Sequence, residues 1–484
     1  MVYGYAGGRF DHMNERSNEQ REAALRQLAA RYEASQKDAT DLYLSPEQFE
    51  ELLLHYYNAG DYQQTLNVAE AAIDRFSFSP DFYRWKALIH KINLDEKEAM
   101  DTLEKLEVYA PHDEEVMLLR LEIYVHFNYL VQARSVLEQL LAVVKEDTKV
   151  SLLAFYEGLI YLQEDSAEEA FKSLTWSVRL DPWQEAALDE LLNAEQFVDY
   201  AGRIGKFLHR MLEKEPFVDI LWYYLGLWCC DAGMDGEALE AYGYARSLNP
   251  DRAGYELEYA DKLFDLERYD EALDSYHCYF RHPEAEDSYE TFMRVGRCHQ
   301  LSNRTKEARK YFMQALELGP DMYDVYEHLG ECYVADEQWA MAAFYYGRAT
   351  EQPGHTSDCW LGLALCNSAI EENFAAEEAF LRAVAMDPNF SDAHVTYSLF
   401  LADQGREQEA IEQLEIKLSQ YRDAPLLYGT VAVLLMCNRR KLAFTYLHDA
   451  LSEYYDDHYM LLDWNAQLVE DPQVKGLLEY FRED

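Results

Sequence analysis

The pattern of apolar, small and polar positions along this chain recurs every 34 residues. In the window that opens at Asp219, Trp222, Leu225, Gly226, Ala238, Tyr242, Ala245 and Pro250 occupy positions 4, 7, 8, 20, 24, 27 and 32. From Tyr289 the same places hold Phe292, Val295, Gly296, Ala308, Phe312, Ala315 and Pro320. From Tyr323 they hold Tyr326, Leu329, Gly330, Ala342, Tyr346 and Ala349, and from Ser357 Trp360, Leu363, Ala364, Ala376, Phe380, Ala383 and Pro388. Each window predicts two antiparallel helices joined by a short turn. Small residues at positions 8 and 20 let the helices approach, and large ones at 4, 7 and 24 fill the groove beside them. Proline at position 32 ends the second helix. One such pair cannot bury its own apolar face, so it needs neighbours on both sides.

Fainter copies extend the register. Pro111, Pro182 and Pro216 each close a window, Ala99, Ala133, Ala170, Ala272 and Ala410 mark others, and Gly158 and Tyr161 match in the window from Ser151. The first window opens near Pro46 and the last near Pro425, which makes about a dozen repeats over roughly nine-tenths of the chain. Phase shifts just before Ser151 and near Pro283 read as loops between repeats. The expected organisation is a flexible N-terminus with a capping helix over 1–45, a repeat array over 46–456 and C-terminal capping helices over 457–484. The N-terminal cap is expected to start at Ser17, with Gln20 in capping-box spacing and Ala24, Leu25, Leu28 and Tyr32 on one face. At the other end Leu461, Leu462 and Trp464, then Asp471 and Pro472, then Val474, Leu477, Leu478 and Phe481 read as a solvating cap.

These residues at this spacing resemble the tetratricopeptide-repeat family, with Cys229 departing from its usual tyrosine. The resemblance implies an all-α, right-handed superhelical solenoid whose concave wall is lined by the first helix of each pair. It also implies a non-enzymatic scaffold or adaptor that holds partner protein segments. A permanent structural subunit of a larger assembly is the alternative, with the convex face buried. First-helix positions 2, 5, 9, 12 and 13 face the groove in this family. Carried onto this chain they give Phe155, Leu159, Leu162, Asp189, Phe197, Tyr223, Leu227, Asp231, Leu257, Asp261, Phe264, Arg297, Glu327 and Glu331. Aromatic shelves among carboxylates suit a basic partner segment with apolar anchors. Phe155→Glu and Tyr223→Glu are expected to weaken partner binding with helicity intact.

Charge and composition narrow the partner. The 484 residues carry a formal charge of −47, from 90 acidic and 43 basic side chains. Such a surface repels phosphate backbones, so nucleic acid is not expected as a ligand. No charge-free stretch is long enough for membrane insertion, and no signal-peptide core follows the N-terminus. Eight dispersed cysteines fit a reducing cytoplasm. Family members that grip heat-shock chaperone tails use Lys, Arg and Asn at set first-helix positions. Here Arg84 at position 5 is followed by Leu88 at 9, Asn193 at 9 is preceded by Asp189 at 5, and Arg297 is followed by Glu327 and Glu331. Chaperone C-terminal tails are therefore disfavoured.

No catalytic motif, phosphate-binding loop or cofactor signature stands in the chain, and no catalytic, cofactor or metal residue is assigned. Cys298, Cys332 and Cys366 recur every 34 residues, all at position 10. Equivalent points on stacked helices lie about 10 Å apart, too wide for one zinc ion or a disulfide. They read as small packing residues.

Overall fold

The computed structural model describes residues 15–37, 42–461 and 472–482. All regular structure among them is helical. The chain divides between Asn249 and Pro250 into two units.

The first unit opens with α1 (Glu15–Lys37). Six helix pairs follow: α2 (Pro46–Asn58) with α3 (Tyr62–Arg75), α4 (Pro80–Ile92) with α5 (Glu96–Tyr109), and α6 (Glu114–His126) with α7 (Leu130–Val143). Then come α8 (Asp147–Gln163) with α9 (Ala167–Leu180), α10 (Glu185–Asn193) with α11 (Ala201–Lys214), and α12 (Asp219–Asp231) with α13 (Asp235–Leu248). The second unit holds α14 (Ala253–Asp265) with α15 (Tyr269–Tyr279), α16 (Tyr289–Leu301) with α17 (Thr305–Leu318), and α18 (Tyr323–Ala335) with α19 (Trp339–Thr350). It continues with α20 (Ser357–Ala369) and α21 (Asn373–Met386), α22 (Ser391–Asp403) and α23 (Glu407–Gln420), and α24 (Ala424–Met436) and α25 (Arg440–Glu453). A further helix spans Pro472–Arg482. Within each unit, successive helices pack in chain order.

Most first helices begin on the first residue of their window, from Pro46 to Ser391. Two depart. The helix of the Ser151 window starts early, at Asp147, and α10 stops at Asn193 and gives way to a 3-10 turn, Glu195–Tyr200. Ser17 lies inside α1 rather than at its start. Among the residues of this helix whose burial is described, Leu28, Ala29 and Tyr32 are buried, Leu25 is half-buried and Ala24 is exposed. Residues 1–14, Leu462, Trp464 and Asp471 lie outside the described residues, whereas Leu461 and Val474 are buried in the last cluster.

Position 20 explains the close pairing. In ten pairs, from Ala99 to Ala443, it is a buried alanine; Thr65 and Ile204 stand there in the other two. Position 8 answers it. A Cβ added to Gly296 would lie 2.5 Å from the Phe312 ring. Tyr346 is held from both sides, because a Cβ on Gly330 would come within 2.8 Å of it and one on Gly362 within 2.4 Å.

The turns share one device that the apolar pattern does not show. In eleven of the twelve pairs, the residue at position 15 adopts positive φ, between 55° and 76°. The next N–H then reaches back to the first helix, as from Met234 to the Cys229 carbonyl at 2.8 Å. This satisfies a carbonyl that the helix end leaves open. Glycine holds the place at Gly60, Gly233 and Gly405, and asparagine at Asn128, Asn303 and Asn438. Leu94 holds it with φ 60°, and its side chain is exposed. Leu94→Asn is therefore expected to raise stability by about 1 kcal/mol, since the left-handed region costs ordinary L-residues that order of energy. Urea unfolding of the two proteins checks this, and equal midpoints would remove strain at Leu94 from the account.

Candidate functional site

The first helices of the first unit present a narrower surface than the window positions suggest. Phe155 is 4% exposed and Phe197 only 2%. Phe197 packs edge-on to Phe171 at 6.0 Å and lies 5.4 Å from Tyr200. Leu162 is buried as well. These three fill the space between helices and are not open shelves, which corrects the reading of them as groove surface. Leu159, Tyr223 and Leu227 are half-buried, and Asp231 is exposed. Tyr223 rests against Tyr224 and Tyr242, at 5.4 and 6.1 Å. Asp189 accepts a hydrogen bond from the buried Tyr224 hydroxyl. That carboxylate ties α10 to α12.

In the second unit the arrangement repeats with more charge. The Tyr276 hydroxyl donates to Asp261. Arg294 Nη1 lies 3.5 Å from Asp261 and 3.6 Å from Asp265. Phe264 is half-buried, with the Arg294 and Arg297 guanidinium groups 5.6 and 5.4 Å from its centroid. Two cations thus already occupy the ring that sequence reasoning offered as a shelf. Leu257 is half-buried, and Leu301 and Leu365 on the following first helices are exposed. Glu331 accepts from Gln300 Nε2 at 2.7 Å and pairs with His328 Nδ1 at 2.8 Å.

These partners divide the carboxylates into two kinds. Burial pushes Glu331 up, but the His328 and Gln300 contacts outweigh it and hold the group below the ordinary carboxylate range. Glu327, four residues earlier, is raised by burial and by the neighbouring charges of Glu331 and Asp358. Burial also raises Asp261, against the Tyr276 hydrogen bond and the Arg294 charge. Burial therefore prevails at Asp261 in spite of Arg294 and Tyr276, and at Glu327 in spite of His328.

Arg294, Gln300, His328 and the two tyrosine hydroxyls are not among the groove residues expected from the sequence. Position 6 carries both Arg294 and Tyr224, so a reading of that position beside position 5 would have found them. The cysteine ladder packs as small residues. Cys298, Cys332 and Cys366 are fully buried, and burial pushes each thiol up to about 12. Among the described residues, no group of three His, Cys, Asp or Glu side chains is placed to hold a metal ion. No helix among them is long and apolar enough to cross a membrane.

Residues 271–469 match the family described as the cilia and flagella-associated protein 70 C-terminal domain, a tetratricopeptide-repeat domain. That match falls on the register that the helix pairs display. Over residues 271–469 the chain is a tetratricopeptide-repeat domain. Several solved structures are similar to the chain. One is YrrB, described as having an unusual peptide-binding site, at 19% identity over 38% of this chain and 95% of that one, TM-score 0.35. Another is the Cut9–Hcn1 hetero-tetramer of APC/C, at 12% identity over 84% of this repeat protein and 98% of that chain, TM-score 0.35. A tetratricopeptide-repeat protein from Parabacteroides merdae matches at 15% identity over 57% and 98%, TM-score 0.40. No curated protein matches this repeat protein in sequence.

Proposed function

We propose that this repeat protein is a non-enzymatic scaffold that holds basic protein segments with apolar anchors on its first-helix faces. One observation carries the reading. In the second unit burial raises Asp261 and Glu327 from the ordinary carboxylate value, while Leu257 is half-buried and Leu301 and Leu365 are exposed on first helices of the same unit. A carboxylate so raised gains most from an arriving guanidinium or ammonium group, and the leucines supply apolar contact. In the first unit the accessible members are Leu159, Tyr223, Leu227 and Asp231. The charge of −47 disfavours nucleic acid, and the acidic face disfavours the acidic tails of heat-shock chaperones. The eight free cysteines suit a cytoplasmic setting. The matched family's name adds cilia and flagella as places to look.

The test is a labelled peptide that alternates Arg and Leu, titrated into the full chain. Glu327→Lys together with Asp265→Lys, which places a cation at the exposed carboxylate that shares Arg294 with Asp261, is expected to weaken binding about tenfold or more while helicity is kept. Affinity should also fall as pH drops through and above the ordinary carboxylate range. The sign follows from linkage: a bound cation lowers the Asp261 and Glu327 pKa values, so binding is tightest where these groups are ionised. Affinity that ignores both the reversal and the pH would sink the proposal. A permanent place in a larger assembly is the second reading. It is favoured by large apolar side chains exposed on second helices, Phe344 and Phe374 among them. A fixed set of partners retained at high salt would support it.

A further inference from the structure

The loop between α11 and α12, residues 215–218, is ringed by aromatic side chains. Trp183, which precedes α10, is 60% exposed, and its Nε1 donates to Asp219 Oδ1 at 3.3 Å. Its backbone N–H donates to Asp181 Oδ1 at 3.1 Å. Phe217, within the loop, is 82% exposed. Trp222 Nε1 donates to the Pro216 carbonyl at 2.8 Å. Tyr244 is 53% exposed and lies over Trp222, with ring centroids 4.4 Å apart and 31° between the planes. Both indole N–H groups are thus satisfied within the chain, which pins the rings and leaves apolar faces at the surface.

The repeat accounts for only one of the four. Trp222 stands at position 4, a core place, whereas Trp183 and Phe217 stand at position 33 and Tyr244 at 26, where the recurrent pattern asks for nothing apolar. Exposed, pre-ordered Trp, Phe and Tyr side chains grouped around one loop have the composition of an interface centre.

We propose that this patch, distinct from the first-helix faces, docks a cationic protein segment through Arg or Lys side chains seated on the rings. Charge selects the occupant. The loop carries the exposed Glu215 and no cation, although Lys214 precedes it; Asp181 accepts from the Trp183 backbone, and Asp219 accepts from the Trp183 ring and, at 2.8 Å, from Asn249 Nδ2. A second copy of a chain with charge −47, or an acidic segment, meets repulsion there. A guanidinium meets the Glu215 carboxylate and the ring faces. The same unit shows the geometry within itself, where Arg203 sits 4.4 Å from the Phe171 centroid and 4.7 Å from that of Tyr200.

The experiment follows the indole N–H resonances of the full chain by NMR while 12-residue peptides are added, one set bearing Arg, one Glu and one Pro in an otherwise Gly and Leu sequence. The Arg set is expected to move the Trp183 and Trp222 signals. Trp183→Ala combined with Phe217→Ala should lower that affinity about tenfold or more. Both residues lie outside the core, so the thermal unfolding midpoint should hold, and Trp183→Phe alone should retain most of the affinity. The first-helix reversal, Asp265→Lys with Glu327→Lys, should leave these shifts in place, which separates this surface from the groove. Indole signals unmoved by the Arg peptides, or moved equally by the Glu or Pro sets, would overturn the proposal. So would a dimer in sedimentation that the double alanine variant abolishes.

Discussion

Phe155→Glu is expected to unfold the α8–α9 pair and its neighbours, not merely to weaken partner binding. Phe155 is 4% exposed, so the variant removes a buried ring and puts a carboxylate in its place. Loss of a buried phenyl group costs about 3–5 kcal/mol. The carboxylate then ionises only at a further cost, or stays protonated with its pKa driven up. Solenoid stability is close to a sum of repeat and neighbour terms, so the loss concentrates around one pair. Hydrogen exchange should accelerate over α8 and α9 first, with a fall in helical circular dichroism at moderate temperature. Tyr223→Glu is the contrasting variant. Tyr223 is half-buried, and a carboxylate there can stay in contact with water, so its cost should be clearly smaller. Wild-type exchange rates in Phe155→Glu would mean that the ring does not carry this packing.

The second large effect is expected at Gly296. A Cβ there would stand 2.5 Å from Cε1 of the Phe312 ring. Phe312 is fully buried, so its ring has no solvent into which it can swing. Gly296→Val adds more atoms to the same contact and is expected to cost about 3 kcal/mol, at the upper end for overpacked cores. The helix-propensity gain from losing glycine, up to about 1 kcal/mol, offsets little of this. The neighbouring windows sharpen the argument. Ala364 and Ala260 hold position 8 in windows whose position 24 is Phe380 and Tyr276, and all four are buried, so a Cβ at position 8 is compatible with the fold elsewhere in the array. Gly296→Ala should therefore cost less than Gly296→Val. Trimming the ring with Phe312→Leu should recover part of the loss, a coupling that a double-mutant cycle reads directly. Strict additivity would show that the two residues do not share the contact.

The tyrosine–carboxylate bonds show why the candidate face was less legible than the fold. From the sequence, Asp189 and Asp261 stood as open acids for a basic partner, but each accepts a hydroxyl from a buried tyrosine, Tyr224 and Tyr276. Asp189 meets its tyrosine across helix pairs and Asp261 meets its own across the turn of one pair, so no single spacing announces the bond. Phe264 reads as a shelf in the register, yet Arg294 and Arg297 from the next window lie over it. Phe155 and Phe197 share the groove register with Tyr223, and only the packing shows that two of the three are enclosed.

Periodicity determined the helix pairs, their boundaries and the small residues between them. That holds because each pair is closed by contacts within about 34 residues and each contact recurs. The buried alanines at position 20 and the glycine under Phe312 could be named without coordinates for this reason. Tertiary structure alone decided which groove residues face water, which carboxylates already have donors, and that Trp183, Phe217 and Tyr244 gather around one loop. Burial and pairing depend on side chains that arrive from neighbouring repeats, and a residue's place in its own window does not encode which side chain its neighbour supplies.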